Sequence, residues 1–155
     1  MHYAAAVIVP ANVGKDELDG YLYGALPYFD EGNWYDDGLL PEDECVAPLF
    51  DWVNITDRGR WAFPSGSREV SVRDFLADFD AMCGRVYYLI DGDSHEFACS
   101  EGYLYPNELP EIGVADWCDQ VEALQAPRRD AFPDEAKSML EARRDDRLVM
   151  VDFHC

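Results

Sequence analysis

Residues 4–10 read Ala4-Ala-Ala-Val-Ile-Val-Pro10, and residues 147–153 read Arg147-Leu-Val-Met-Val-Asp-Phe153. A six-residue apolar run closed by proline has the length of a buried strand, because helices run longer and proline cannot donate to a ladder. The second run reads as a closing strand. Two such strands at opposite ends of the chain predict one sheet in which they are neighbours, and the rest of the fold is read outward from that pairing.

The first strand is followed by a predicted helix over 15–26, with Leu18, Tyr21, Leu22 and Ala25 on one face despite Gly20 and Gly24. Residues 27–48 are rich in Pro, Gly and Asp without periodicity and predict a long loop. Residues 50–55 and 60–63 predict two strands joined through Thr56 to Gly59 as a hairpin. The strongest helix signal is Ser71 to Cys83: Ser71 is the cap, Asp74 completes a capping box, and Val72, Phe75, Leu76, Phe79 and Met82 form one apolar stripe before Gly84. Residues 85–90 and 95–99 predict a second hairpin turning at Asp91-Gly92.

A helix is expected over 115–125, with Trp117, Cys118, Val121 and Leu124 inward and Asp116, Asp119 and Glu122 in a row outside. Another is expected from Pro133, with Asp134 and Glu135 in its first turn and Arg143 and Arg144 in its last. The predicted fold class is α+β: one domain over 1–155, a mixed or antiparallel sheet packed with about four helices, and a long acidic loop after the first helix.

The chain carries 32 acids against 12 Lys and Arg, a net charge of -20. With 48% hydrophobic and 14% aromatic residues it has material for a core, which argues against disorder. Direct binding to nucleic acid is opposed by this charge, so the expected partner is basic. The apolar run near the start is too short for a membrane span and lacks the flanks of a signal peptide, so a cytoplasmic location is expected. Five cysteines, at 45, 83, 99, 118 and 155, form no C-x-x-C pair and read as reduced thiols packed as small hydrophobes.

The charge is uneven. Residues 16–57 hold twelve acids and no base, and residues 78–122 hold eleven acids against Arg85. Three readings stand: a solvated, solubilising surface, an adaptation to high salt, and a surrogate for a nucleic-acid backbone that presents carboxylates where a phosphate-binding protein meets DNA. On the third reading the partner-binding residues are Asp30, Glu31, Trp34, Tyr35, Asp36, Asp37, Glu42, Asp43, Glu44, Asp116, Asp119 and Glu122, with the aromatic rings as desolvated anchors.

No nucleotide fingerprint, nucleophile elbow or H-E-x-x-H motif occurs, and no cofactor or metal is expected. Asp91 to His95 resembles the start of a calcium loop, but Glu96 and Gly102 stand where that loop needs Gly and Glu. An enzymatic alternative rests on Asp152 and His154, two residues apart on one strand face, joined by Asp51 from another strand as a general acid/base cluster for a hydrolase or transferase. Arg58-Gly-Arg-Trp61 is the compact basic element, read as a neutralising patch or as an anion site with a stacking ring.

Four stretches, Val7-Ile-Val-Pro10, Ala25-Leu-Pro-Tyr-Phe-Asp-Glu31, Phe50-Asp-Trp-Val-Asn-Ile-Thr-Asp-Arg-Gly-Arg-Trp61 and Val149-Met-Val-Asp-Phe-His154, together resemble a loose group of small bacteriophage proteins of unknown function. That group tends to show V-x-x-P, A-L-x-P-[FY]-x-E, D-W-x-x-I-G-G-R-W and a C-terminal D-x-H. Here Thr56 to Gly59 alter its Gly-Gly turn, and Cys155 replaces a branched aliphatic. The resemblance implies a phage or prophage origin and a place in the host bacterial cytosol. By analogy of size and charge with anti-restriction and anti-CRISPR proteins, it implies counter-defence against a host nucleic-acid-binding complex. An acidic phage protein without a defence target is the remaining alternative.

Overall fold

The computed structural model describes residues 1–32, 46–55, 60–113 and 115–154. Strand β1 (His2–Val9) pairs antiparallel with β6 (Arg147–His154) along its whole length, so the two ends of the chain build the centre of one sheet. On its other side β1 pairs parallel with β4 (Tyr88–Asp91), which pairs antiparallel with β5 (Phe97–Cys99). The free side of β6 carries β2 (Trp52–Asn54) at one end and β3 (Glu69–Ser71) at the other. Among the described residues this makes a mixed six-stranded sheet of order β2-β6-β1-β4-β5, with β3 beside β6, in an α+β arrangement.

Both faces of the sheet are buried, and strand alternation divides the core. Ala5, Val7 and Val9 face one cluster with Leu22, Phe29, Phe50 and Phe153, covered by helix α1 (Leu18–Ala25) and residues 46–55. Ala4, Ala6 and Ile8 face the other with Phe63, Phe75, Phe132 and Leu140. Burying each large side chain contributes roughly 1.5–3 kcal/mol, so two faces give a chain of this size enough apolar area to fold.

Ser71 caps helix α2 (Val72–Ala77) as expected, its Oγ accepting from the Asp74 N–H at 3.0 Å. The predicted single helix is broken at Asp78 (φ -129°, ψ 48°), and α3 (Phe79–Cys83) starts anew. Aspartate is a weak helix former because its carboxylate competes for local backbone groups. Conversely, the two helices expected after residue 115 are one, α4 (Trp117–Glu141), running through Pro127 and Pro133. Each interior proline removes a hydrogen bond at a cost of about 3 kcal/mol, and burial of Phe132, Ala136 and Leu140 offsets it. Arg143 and Arg144 lie beyond this helix.

Other expectations are corrected. Residues 60–63 are not a strand: β2 pairs with β6, while Trp61 and Phe63 turn inward over the opposite cluster. The joining residues 56–59 lie outside the described residues. The first half of α4 is not the buried element its pattern predicts, since Cys118 is exposed and Leu124 is 43% exposed. Cys83 and Cys99 are buried as expected, and burial pushes both thiols up to about 11.

Candidate functional site

In the antiparallel ladder His2 lies opposite His154 and Ala4 opposite Asp152, while β2 sets Trp52 beside His154 and Asn54 beside Asp152. Directly opposed residues point to the same face. The pleat therefore gathers His2, His154 and Trp52 in one row at the end of the sheet, with Asp152 in the row behind.

Asp152 is 4% exposed, and its Oδ1 meets the Nδ1 of His2 at 3.1 Å and accepts the indole N–H of Trp61 at 3.0 Å. His154 Nδ1 lies 2.8 Å from Asp51 Oδ1, and the Asp51 N–H donates to the His154 carbonyl at 2.9 Å, which pins Asp51 to the strand end. A carboxylate accepts, so the contact at each Nδ1 suits a ring that carries hydrogen there and turns Nε2 away. Neither Nε2 has a hydrogen-bond partner among the described residues. The two rings are 5.0 Å apart between centroids at 75°.

Asp51, Asp152 and His154, grouped by the sequence as one cluster, are brought together, but as two carboxylate–histidine dyads. Asp51 serves His154, and Asp152 serves His2. His2 was the missing member, and the signal for it was parity: it shares a strand face with Ala4 once β1 is extended by two residues. Trp61, read as a stacking ring beside two arginines, instead holds Asp152.

A cavity of about 380 Å³ adjoins His2, walled by Trp61, Tyr3, Tyr87, Arg85, Ser100 and Glu101. Arg85 is exposed and makes no ion pair among the described residues. Other arginines contrast with it: Arg68 pairs with Asp19, Arg73 with Asp145, Arg128 with Glu108, Arg129 with Glu122, Arg144 with Glu141 and Arg147 with Glu69. The Arg128 guanidinium and the Tyr105 N–H hold Glu108 down to about 2.

At the opposite end of the sheet Arg143 binds both oxygens of the 7% exposed Asp91 at 3.0 Å, Asp93 at 2.8 Å and Asp146. Burial works against the cation, but the hydrogen bond to Asp146 and the charge of Asp91 hold Arg143 above its usual value. The Tyr21 hydroxyl donates to Asp93 at 2.7 Å, and that bond, with Arg143, keeps Asp93 below the ordinary carboxylate range. Asp91 also caps the turn, accepting from the Asp93 and Ser94 N–H groups. Gly92 is required there, since a Cβ would collide with the Tyr21 hydroxyl and the Ile8 carbonyl.

Of the predicted partner-binding residues, Trp34, Tyr35, Asp36, Asp37, Glu42, Asp43 and Glu44 lie outside the described residues. Asp30 is half-buried and accepts the Gly32 N–H at 2.8 Å, so it shapes its own turn. Glu31, Asp116 and Asp119 are exposed, whereas Glu122 is neutralised by Arg129. Asp116 sits before α4 in the left-handed region (φ 65°), so the expected row begins outside the helix.

Among the described residues no group of three or more His, Cys, Asp and Glu is arranged to hold a metal ion, and no helix is long and apolar enough to cross a membrane. No protein-family model, no curated protein and no solved structure matches the chain.

Proposed function

We propose that the chain is an acidic surrogate for a nucleic-acid backbone that occupies the basic surface of a host nucleic-acid-binding complex, as a phage or prophage counter-defence inhibitor of the anti-CRISPR or anti-restriction kind. The observation that carries the reading is the internal pairing of the arginines. Seven of them, Arg143 included, are engaged by carboxylates of the same chain. The excess acids, with Glu31, Asp116 and Asp119 at the surface, are left to set the outward field of a chain with net charge -20.

Displacement of a labelled DNA duplex from a purified defence complex, measured at several salt concentrations, tests this. Inhibition weakens steeply with salt, because exposed charges are screened over about 8–10 Å at physiological strength. Replacing Asp36, Asp37, Glu42, Asp43 and Glu44 by Asn or Gln lowers the association rate, and Trp34→Ala speeds dissociation. Salt-independent inhibition, or a parental association rate in the neutralised variant, defeats the reading.

A further inference from the structure

We propose that the His2–Asp152 and His154–Asp51 dyads form a two-histidine acid–base site that hydrolyses small, singly charged phosphodiesters seated in the cavity that His2 lines. This is independent of the acidic-surface reading.

The dyads have the geometry of an oriented base. Each carboxylate holds one ring through Nδ1, at 3.1 Å and 2.8 Å, which fixes the tautomer and leaves Nε2 to receive or give a proton. Rings 5.0 Å apart allow one substrate to lie within the hydrogen-bond reach of both, about 2.6–3.2 Å. The His154 side chain is 40% exposed, so the pair is open to solvent on that side.

The cavity selects the substrate. Its volume of about 380 Å³ falls within the range of small-molecule sites, roughly 300–1,000 Å³. Arg85 is its cation, not bound by any carboxylate among the described residues, and a guanidinium suits a phosphate oxygen. Trp61, Tyr3 and Tyr87 offer rings for a flat ester group. Glu101 in the wall and the net charge of the chain oppose a polyanion or a dianionic monoester, which leaves the monoanionic diester.

In the step, the Nε2 lone pair of one dyad takes a proton from water as the water oxygen bonds to phosphorus. The bond from phosphorus to the leaving oxygen breaks, its electron pair stays on that oxygen, and the Nε2–H of the other dyad, whose ring enters the step as the doubly protonated imidazolium, protonates it. Diester and water become monoester and alcohol, and solvent exchange returns both rings to their starting state.

The test follows release of 4-nitrophenolate from bis(4-nitrophenyl) phosphate by the purified full chain in the presence of EDTA. The parent turns the diester over and discriminates against 4-nitrophenyl phosphate. His2→Gln and His154→Gln each lower kcat by about 10²- to 10⁴-fold, and the double variant falls little further because the pair acts as a unit. Asp51→Asn, which positions His154, lowers kcat with KM unchanged, and Arg85→Gln raises KM. Near-UV circular dichroism shows whether each variant folds, and should His2→Gln not fold, the exposed His154→Gln decides. Parent turnover no faster than buffer, activity lost on chelation, or a folded His154→Gln variant with parental kcat overturns the proposal.

Discussion

The two ends of the β1–β6 pair, roughly 24 Å apart at the rise of a strand, solve the same problem differently. Both bury a carboxylate where two strands end. At the Asp91 end one guanidinium spans Asp91, Asp93 and Asp146, and a tyrosine hydroxyl closes the network. At the Asp152 end the donors are an imidazole and an indole, and the imidazole keeps a second nitrogen for another partner. A network with every group engaged rigidifies the fold, and one that leaves an imidazole nitrogen unengaged on a residue lining a cavity is equipped to act on a ligand.

Replacing Arg143 by Met is the strongest way to break this contrast. It leaves Asp91 buried without its cation, and equilibrium urea unfolding should show a loss of about 3–5 kcal/mol. A loss under 1 kcal/mol would mean that the Asp91 end is no more structural than the other.

Tyr21→Phe sharpens the same end at smaller scale, with an expected cost of about 1 kcal/mol for one hydrogen bond. Its signature is in the pH dependence. Asp93 is held below its ordinary value chiefly by the Tyr21 hydroxyl, so its contribution is present above the ordinary carboxylate range and is lost as pH falls through the depressed folded value. In Tyr21→Phe the folded value moves up toward the ordinary one and the acid-side slope of stability flattens, as urea unfolding from pH 5 down to acid conditions will show.

At the histidine end, His154→Gln should shift stability by no more than about 0.5 kcal/mol, because the side chain stands at the exposed strand end. A large loss in thermal unfolding would place His154 with Arg143 as a structural group. Smallest of all is the change for Glu31→Gln, Asp116→Asn and Asp119→Asn together. Stability stays near the parent or rises as self-repulsion falls, while the association rate with a basic partner drops.

The sequence by itself determined what local chemistry dictates. A six-residue apolar run before Pro10 has the length of a strand, Ser71 with a free Oγ three residues before Asp74 makes a cap, and Asp91-Gly92 makes a turn. It also placed the terminal strands side by side and put Asp152 and His154 on one face, because a strand has a period of two. Tertiary structure alone decided the rest. Local rules start a new helix at Pro133, yet burial of Phe132, Ala136 and Leu140 makes that proline an interior residue of α4. Residues 60–63 had the pattern of a strand, but the edge of β6 took β2 instead, and Trp61 went to Asp152. The partners of the carboxylates were decided the same way: Asp152 finds a histidine 150 residues away in the chain and Asp91 an arginine 52 away. Periodicity reports which way a side chain points, and only the packed sheet brings two distant side chains within hydrogen-bonding distance of each other.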